Sequence, residues 1–189
     1  RNLVLYPTEL QAHWVLYLVL LLLRIDSMKK DANEYLFNEA VKYLGKYPAT
    51  RKKIKEHLQK KIKNKKTYAR AIFPEGINRE EMIDDIVGRL DELKIINEDH
   101  FIESLFNYYQ QSLFSIRKIK NKLFQKGFDQ KSIDEFIDQK FNENPELEIE
   151  ILKKYIIKKK LGNLEESDLK KKLYQQSFSE NSIFRVIKD

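Results

Sequence analysis

The chain has no cysteine, which excludes disulfides and thiolate metal sites and suits a reducing cytosol. Glycine and proline are also scarce, at 5 and 4 residues in 189, and this favours long helices over a turn-rich all-β fold. Long apolar runs are missing too. Trp14 to Leu23 is an unbroken stretch of ten, bounded by His13 on one side and Arg24 on the other. A spanning helix needs about 20 apolar residues, so this run is too short. It does not serve as a signal peptide either, because no basic cluster precedes it and no small-x-small cleavage site follows. No GxxxxGK phosphate loop and no GxGxxG fingerprint occurs, and His13, His57 and His100 stand isolated. Asp84, Asp85 and Asp91 lie among basic residues on a helix and are read as a solvated face. No catalytic, metal or cofactor site is expected.

What is present is a threefold echo of apolar residues. With Ile54, Ile119 and Leu169 as a common zero, Leu36, Phe101 and Ile151 stand eighteen residues upstream, followed by Phe37, Ile102 and Leu152. Ala40, Leu105 and Tyr155 come fourteen upstream, then Val41, Phe106 and Ile156; four downstream stand Leu58, Leu123 and Leu173. Phe128 and Phe178 lie nine downstream, whereas the first unit reaches its counterpart, Ile77, about fourteen residues late, after an insert from Lys63 to Gly76. The register then recovers with Met82, Ile133 and Ile183, and with Ile86, Ile137 and Ile187. A self-similar register of this kind marks a repeat protein whose units hide their apolar faces against one another.

Within each unit the spacings are helical. First helices carry Leu36, Ala40, Val41 and Leu44, or Phe101, Leu105, Phe106 and Tyr109. Second helices carry Ile54 and Leu58, then Ile116, Ile119 and Leu123, then Leu169 and Leu173. Third helices carry Met82, Ile86, Leu90 and Leu93, then Ile133, Phe136 and Ile137, then Ile183, Val186 and Ile187. Asn78 with Glu81, Asn97, Asp129 and Ser179 are placed to start helices. Pro48, Gly127 and the stretch Asn142 to Pro145 are placed to stop them. The expectation is an all-α fold of three tandem three-helix repeats in an elongated curved array. Repeat 1 spans 34–97 with its basic insert at 63–76, repeat 2 spans 98–145 and repeat 3 spans 146–189. Residues 1–27, which precede the register and Met28, are expected to be a dispensable or non-native hydrophobic extension.

The net charge is +7, and ten basic residues against the single acid Glu56 fall between Arg51 and Arg70. Such a field attracts nucleic acid, acidic protein surfaces or anionic lipid. Tyr108, Tyr109 and Phe124 fall in the helical core pattern, which argues against base stacking.

The stretch from Leu90 to Ile137 resembles the signature of the RecX family of recombination regulators. A leucine-rich helix end runs into Asn97, Glu98, Asp99 and Phe101; Arg117 and Ile119 then lead to Leu123, Lys126, Gly127 and Phe128. The resemblance extends over residues 34–189. The chain departs from the family pattern at Glu98, where Asp is usual, and at Ser177, where unit three lacks the glycine of unit two. The resemblance implies a cytoplasmic bacterial protein of tandem three-helix modules that binds the RecA filament and restrains its ATPase, strand exchange and co-protease signalling. The chain is further expected to be a monomer, not an enzyme, and to need no cofactor, metal or membrane. Contacts to the filament are then expected from Lys53, Lys60, Arg117, Lys118, Lys122, Lys126, Lys170 and Lys171. The alternative is a helix-turn-helix repeat protein that binds DNA directly with the same cations.

Overall fold

Apolar residues recurring every three or four positions can be buried together only if the backbone is helical, and every element described is a helix. The computed structural model describes residues 30–63 and 78–188. Nine helices and no strand occur among them: α1 (30–44), α2 (Arg51–Lys63), α3 (Arg79–Glu92), α4 (Glu98–Gln111), α5 (Ile116–Lys126), α6 (Gln130–Glu143), α7 (Leu147–Lys158), α8 (Glu166–Gln175) and α9 (Glu180–Lys188). They fall into three sets of three in the register of the apolar echo. The hydrophobic extension 1–27, nearly all of the basic insert and Ile77 lie outside the described residues.

The chain divides into two compact units, one of Arg1–Tyr47 and Ile54–Ile96 and the other of Pro48–Lys53 and Asn97–Asp189. In the first, Leu36, Ala40, Ile54, Leu58, Met82, Ile86 and Leu90 are buried from α1, α2 and α3. Lys61 bridges to Glu39 at 2.6 Å and Lys55 to Asp84 at 2.6 Å. The Lys61 ammonium holds the Glu39 carboxyl below its usual range. His57 stacks on Tyr43 with ring centroids 4.2 Å apart, and burial, then the Lys61 charge, push its pKa down.

The second unit has one continuous core that includes Ile102, Phe106, Ile119, Leu123, Phe128, Ile133, Ile137, Ile151, Leu152, Leu173, Phe178 and Ile183. Each such side chain contributes about 1.5 to 3 kcal/mol by leaving water. The expected starts are in place. Asn78 accepts from the amides of Glu80 and Glu81, Asn97 from His100, Asp129 from Ser132 and Ser179 from Ser182. Gly127 caps α5 in the left-handed region at φ 101°, and Ser177 takes the same region at φ 63°. The missing glycine of repeat 3 therefore leaves the turn intact.

Four expectations are corrected. Tyr108 (63% exposed) and Phe124 (54%) are surface residues, because each sits one position off its helix's buried stripe; Tyr109 is buried as expected. Leu93 is also exposed, since α3 ends at Glu92 and the chain turns away. The run 30–44 ends before Gly45, whose amide bonds the Val41 carbonyl, so Pro48 follows the stop and does not make it. Val41 is left exposed on α1.

Candidate partner-binding surface

A basic helix can present its charges only if its apolar stripe is held, and α5 shows how the second unit does this. Ile116, Ile119 and Leu123 are buried. The remaining positions divide the cations. Lys118, Lys122 and Lys126, spaced by four, share one side of the helix; Arg117 lies about a quarter-turn away.

The two ends of the helix are secured from different places. At its start, Ser115 accepts from the Lys118 amide and donates its hydroxyl to the Gln176 carbonyl at 2.8 Å. The Ile116 amide donates to the buried Glu148 carboxylate at 3.3 Å, which also accepts from the hydroxyls of Ser179 and Ser182. At its end, the Lys126 carbonyl accepts from the Thr50 hydroxyl at 3.3 Å. Thr50 in turn accepts from the Lys53 amide, and the Arg51 amide donates to Glu98 at 2.6 Å while its guanidinium pairs with the same carboxylate.

These two sets of bonds are one device used twice. Relative to the zero of its own repeat, the hydroxyl donor is at minus four (Thr50, Ser115) and the carbonyl acceptor at plus seven of the next (Lys126, Gln176). The amide donor is at minus three (Arg51, Ile116), and the carboxylate at minus twenty-one of the next (Glu98, Glu148). Each second helix is thus fastened at its start by the following repeat. In repeat 3 the corresponding positions hold Glu165 and Glu166, neither of which offers a hydroxyl, and α8 has no side-chain cap.

The fastening also explains the glycine at 127. A Cβ there would stand 2.6 Å from the Thr50 hydroxyl oxygen and 3.2 Å from Lys53 Cγ. The first turn of α2 and the last turn of α5 approach so closely that a side chain is excluded.

The sequence-derived candidates are placed as follows. Lys53 is half-buried beside Gly127, with the exposed end of α5 at Lys126. Lys118 is half-buried, its ammonium 4.6 Å from the centre of the Phe114 ring and 3.4 Å from Gln176 Oε1. Lys122 is half-buried and Arg117 exposed. Lys170 is engaged by Glu166, one turn earlier on α8, while Lys171 is exposed. Lys60 is exposed in the first unit. Among the described residues, no ion pair forms at Lys60, Arg117, Lys122, Lys126 or Lys171.

Arg117 also lines a cleft of about 410 Å³ with Ile116, Lys120, Glu148, Ser182 and Arg185. Lys120 and Arg185 there are paired with Asp134 and Glu146. Among the described residues no three histidine or acidic side chains converge as they would to hold a metal ion. No described helix is long and apolar enough to cross a membrane.

Two kinds of residue escaped the sequence reading. Glu98 stands in the sequence as a position of the family signature, and its shared register with Glu148 is the signal that would have marked it as a fastening acid. Phe124 and Tyr174 lie five residues past the repeat zero, one position beyond the buried plus-four mark, and are about half exposed.

Comparison with known proteins agrees with this architecture. The chain is 27% identical over 161 residues to the regulatory protein RecX of Caldanaerobacter subterraneus subsp. tengcongensis, covering 83% of this chain and 80% of that protein. The chain is thus similar to a RecX regulatory protein over most of both lengths. A shorter stretch of 69 residues is 30% identical to the regulatory protein RecX of Finegoldia magna, over 36% of this chain and 34% of that one. The crystal structure of RecX from Lactobacillus salivarius has the same fold, with a TM-score of 0.63 at 20% identity, over 84% of this chain and 96% of that one. No protein-family model matches the chain. The RecX relatives are named as regulatory proteins and not as enzymes.

Proposed function

We propose that this chain is a member of the RecX family and acts in the cytoplasm by binding the RecA nucleoprotein filament and restraining its ATPase and recombinase activities. The observation that carries this reading is the similarity to a RecX regulator over most of both chains. The arrangement of the second unit supports it, because it fastens cationic second helices at defined places while leaving Arg117, Lys122, Lys126 and Lys171 without ion pairs among the described residues. Several weak contacts from one compact unit add to a large combined effect, since each later contact forms at high effective concentration.

The test is RecA's single-strand-dependent ATP hydrolysis with and without the full chain, beside a DNA-only binding control. Hydrolysis should fall on addition of the chain, and replacing Lys118 and Lys122 by Glu should weaken the effect while helix content and melting stay near wild type. Unchanged hydrolysis with the wild-type chain would refute the reading. Tight, steeply salt-dependent binding to DNA with no effect on RecA would favour the direct DNA-binding alternative.

A further inference from the structure

The cleft beside Glu148 in the second unit carries chemistry that the fastening does not use up. It lies where α5, α6, α7 and α9 meet, and its volume of about 410 Å³ falls within the roughly 300 to 1,000 Å³ of sites that take a ligand. Two kinds of lining come together there. The corner from α6 to α7 supplies the apolar groups Phe141, Pro145 and Ile149, of which Phe141 is half-buried and Pro145 exposed. Helices α5 and α9 supply the polar groups Arg117, Asn181 and Arg185, all exposed.

The charges in the cleft differ in how firmly they are engaged. Lys120 is taken by Asp134 at 2.6 Å. Arg185 reaches Glu146 at 2.7 Å, but both side chains are about half exposed, and a pair so open to water is held weakly enough to exchange partners. Arg117 forms no ion pair among the described residues. The Glu148 carboxylate already accepts from the Ile116 amide and from the hydroxyls of Ser179 and Ser182. A second acid, Asp138, also lines the cleft; it is exposed and forms no ion pair among the described residues, with Arg117 or any other.

We propose that this cleft receives a protruding segment of a protein partner in which a carboxylate stands next to an apolar side chain. Arg117 takes the carboxylate, Arg185 can turn to assist, and the apolar group lies against Phe141 and Pro145. The inference rests on the reading that the partner is the RecA filament, and it gives that contact a definite place. The planar guanidinium offers parallel donors that match the two oxygens of a carboxylate, and arginine is among the types that dominate interface energies. A phosphate would also satisfy the fork. A nucleic-acid strand, however, brings a charge at every step, and Asp138 and Glu148 in the same cleft oppose it. A peptide can carry one acid where the arginine is and apolar groups elsewhere, which is the pattern of the lining.

The experiment compares the full chain with Arg117→Gln, Arg117→Lys, Asn181→Trp and, as a charge control on α6 outside the cleft, Lys131→Gln. Binding to RecA assembled on single-stranded DNA is measured beside binding to a labelled thymidine oligonucleotide alone. All three positions are exposed, so circular dichroism should report unchanged folding. Arg117→Gln should weaken filament binding roughly 30-fold, and Arg117→Lys should recover only part of it, because an ammonium has no fork. Asn181→Trp puts a large ring into the lining without changing charge and should weaken binding roughly 10-fold, whereas Lys131→Gln should stay within about twofold. Wild-type binding by Asn181→Trp would overturn the proposal, as would equal losses from Arg117→Gln and Lys131→Gln; either result leaves the regulatory reading standing. Loss confined to the naked oligonucleotide would overturn it in favour of nucleic acid. A wild-type chain that does not bind the filament would remove both readings.

Discussion

Glu148→Ala should be among the most damaging single polar substitutions in the second unit. Its side chain is 6% exposed and accepts from the Ile116 amide at 3.3 Å, from Ser182 Oγ at 2.8 Å and from Ser179 Oγ. Removing the carboxylate leaves that amide and one hydroxyl without an acceptor. The other hydroxyl survives through the Ser179 to Ser182 bond and the cap on the Ser182 amide. At roughly 1 to 3 kcal/mol for each orphaned group, and with the adjoining cleft admitting water to one of them, the loss should be about 3 kcal/mol. The matching change at the other fastening, Glu98→Ala, removes a carboxylate whose Arg51 partner is 46% exposed. Water replaces it there, and the cost should be about 1 kcal/mol or less. Urea denaturation followed by circular dichroism gives the difference, and hydrogen exchange at the Ile116 amide reports the broken bond directly. If Glu148→Ala cost no more than Glu98→Ala, or left Ile116 protected, the fastening would not hold the start of α5 as described.

Three further outcomes follow from the same geometry. Gly127→Ala should destabilise by about 2 kcal/mol through left-handed strain and the clash with Thr50, whereas Ser177→Gly at the equivalent turn should stabilise by about 0.5 to 1 kcal/mol; paired denaturation curves test the opposite signs. Asp129→Ala should cost about 1 kcal/mol as a lost helix cap. The Ser132 hydroxyl and amide hold the Asp129 carboxyl below its ordinary pKa, so the stability it adds is present above the unfolded value and is lost as pH falls through the folded one. His57, pushed down by burial and by Lys61, should titrate below an ordinary histidine by NMR; the unfolded chain then binds the proton first, and the first unit should weaken as pH falls below the ordinary histidine range.

The fold was legible because burial follows a period that sequence displays. At the plus-four mark Leu58, Leu123 and Leu173 are all fully buried, and the caps at Asn97 and Asp129 were visible as residue types with a known task. The surface was less legible. Phe124 is a large apolar residue in a helix next to Leu123, and one position, about 100° of rotation, decides whether such a ring is inside or out. Cations were identifiable as exposed by type, but not their partners: Glu166 engages Lys170 and the Phe114 ring underlies Lys118. The fastening itself joins residues 32 to 76 positions apart, and only a fold can bring these together.

The two halves of each fastening belong to different repeats, which bears on how such a chain can be recombined. A repeat transplanted whole from a relative would arrive with its own hydroxyl and amide and would depend on a stranger's side chain to supply the carboxylate, the carbonyl being main-chain in any sequence. Chimeras cut at the apparent module borders should therefore be frail. Crossovers placed inside a module, so that donor and acceptor travel on the same fragment, should survive.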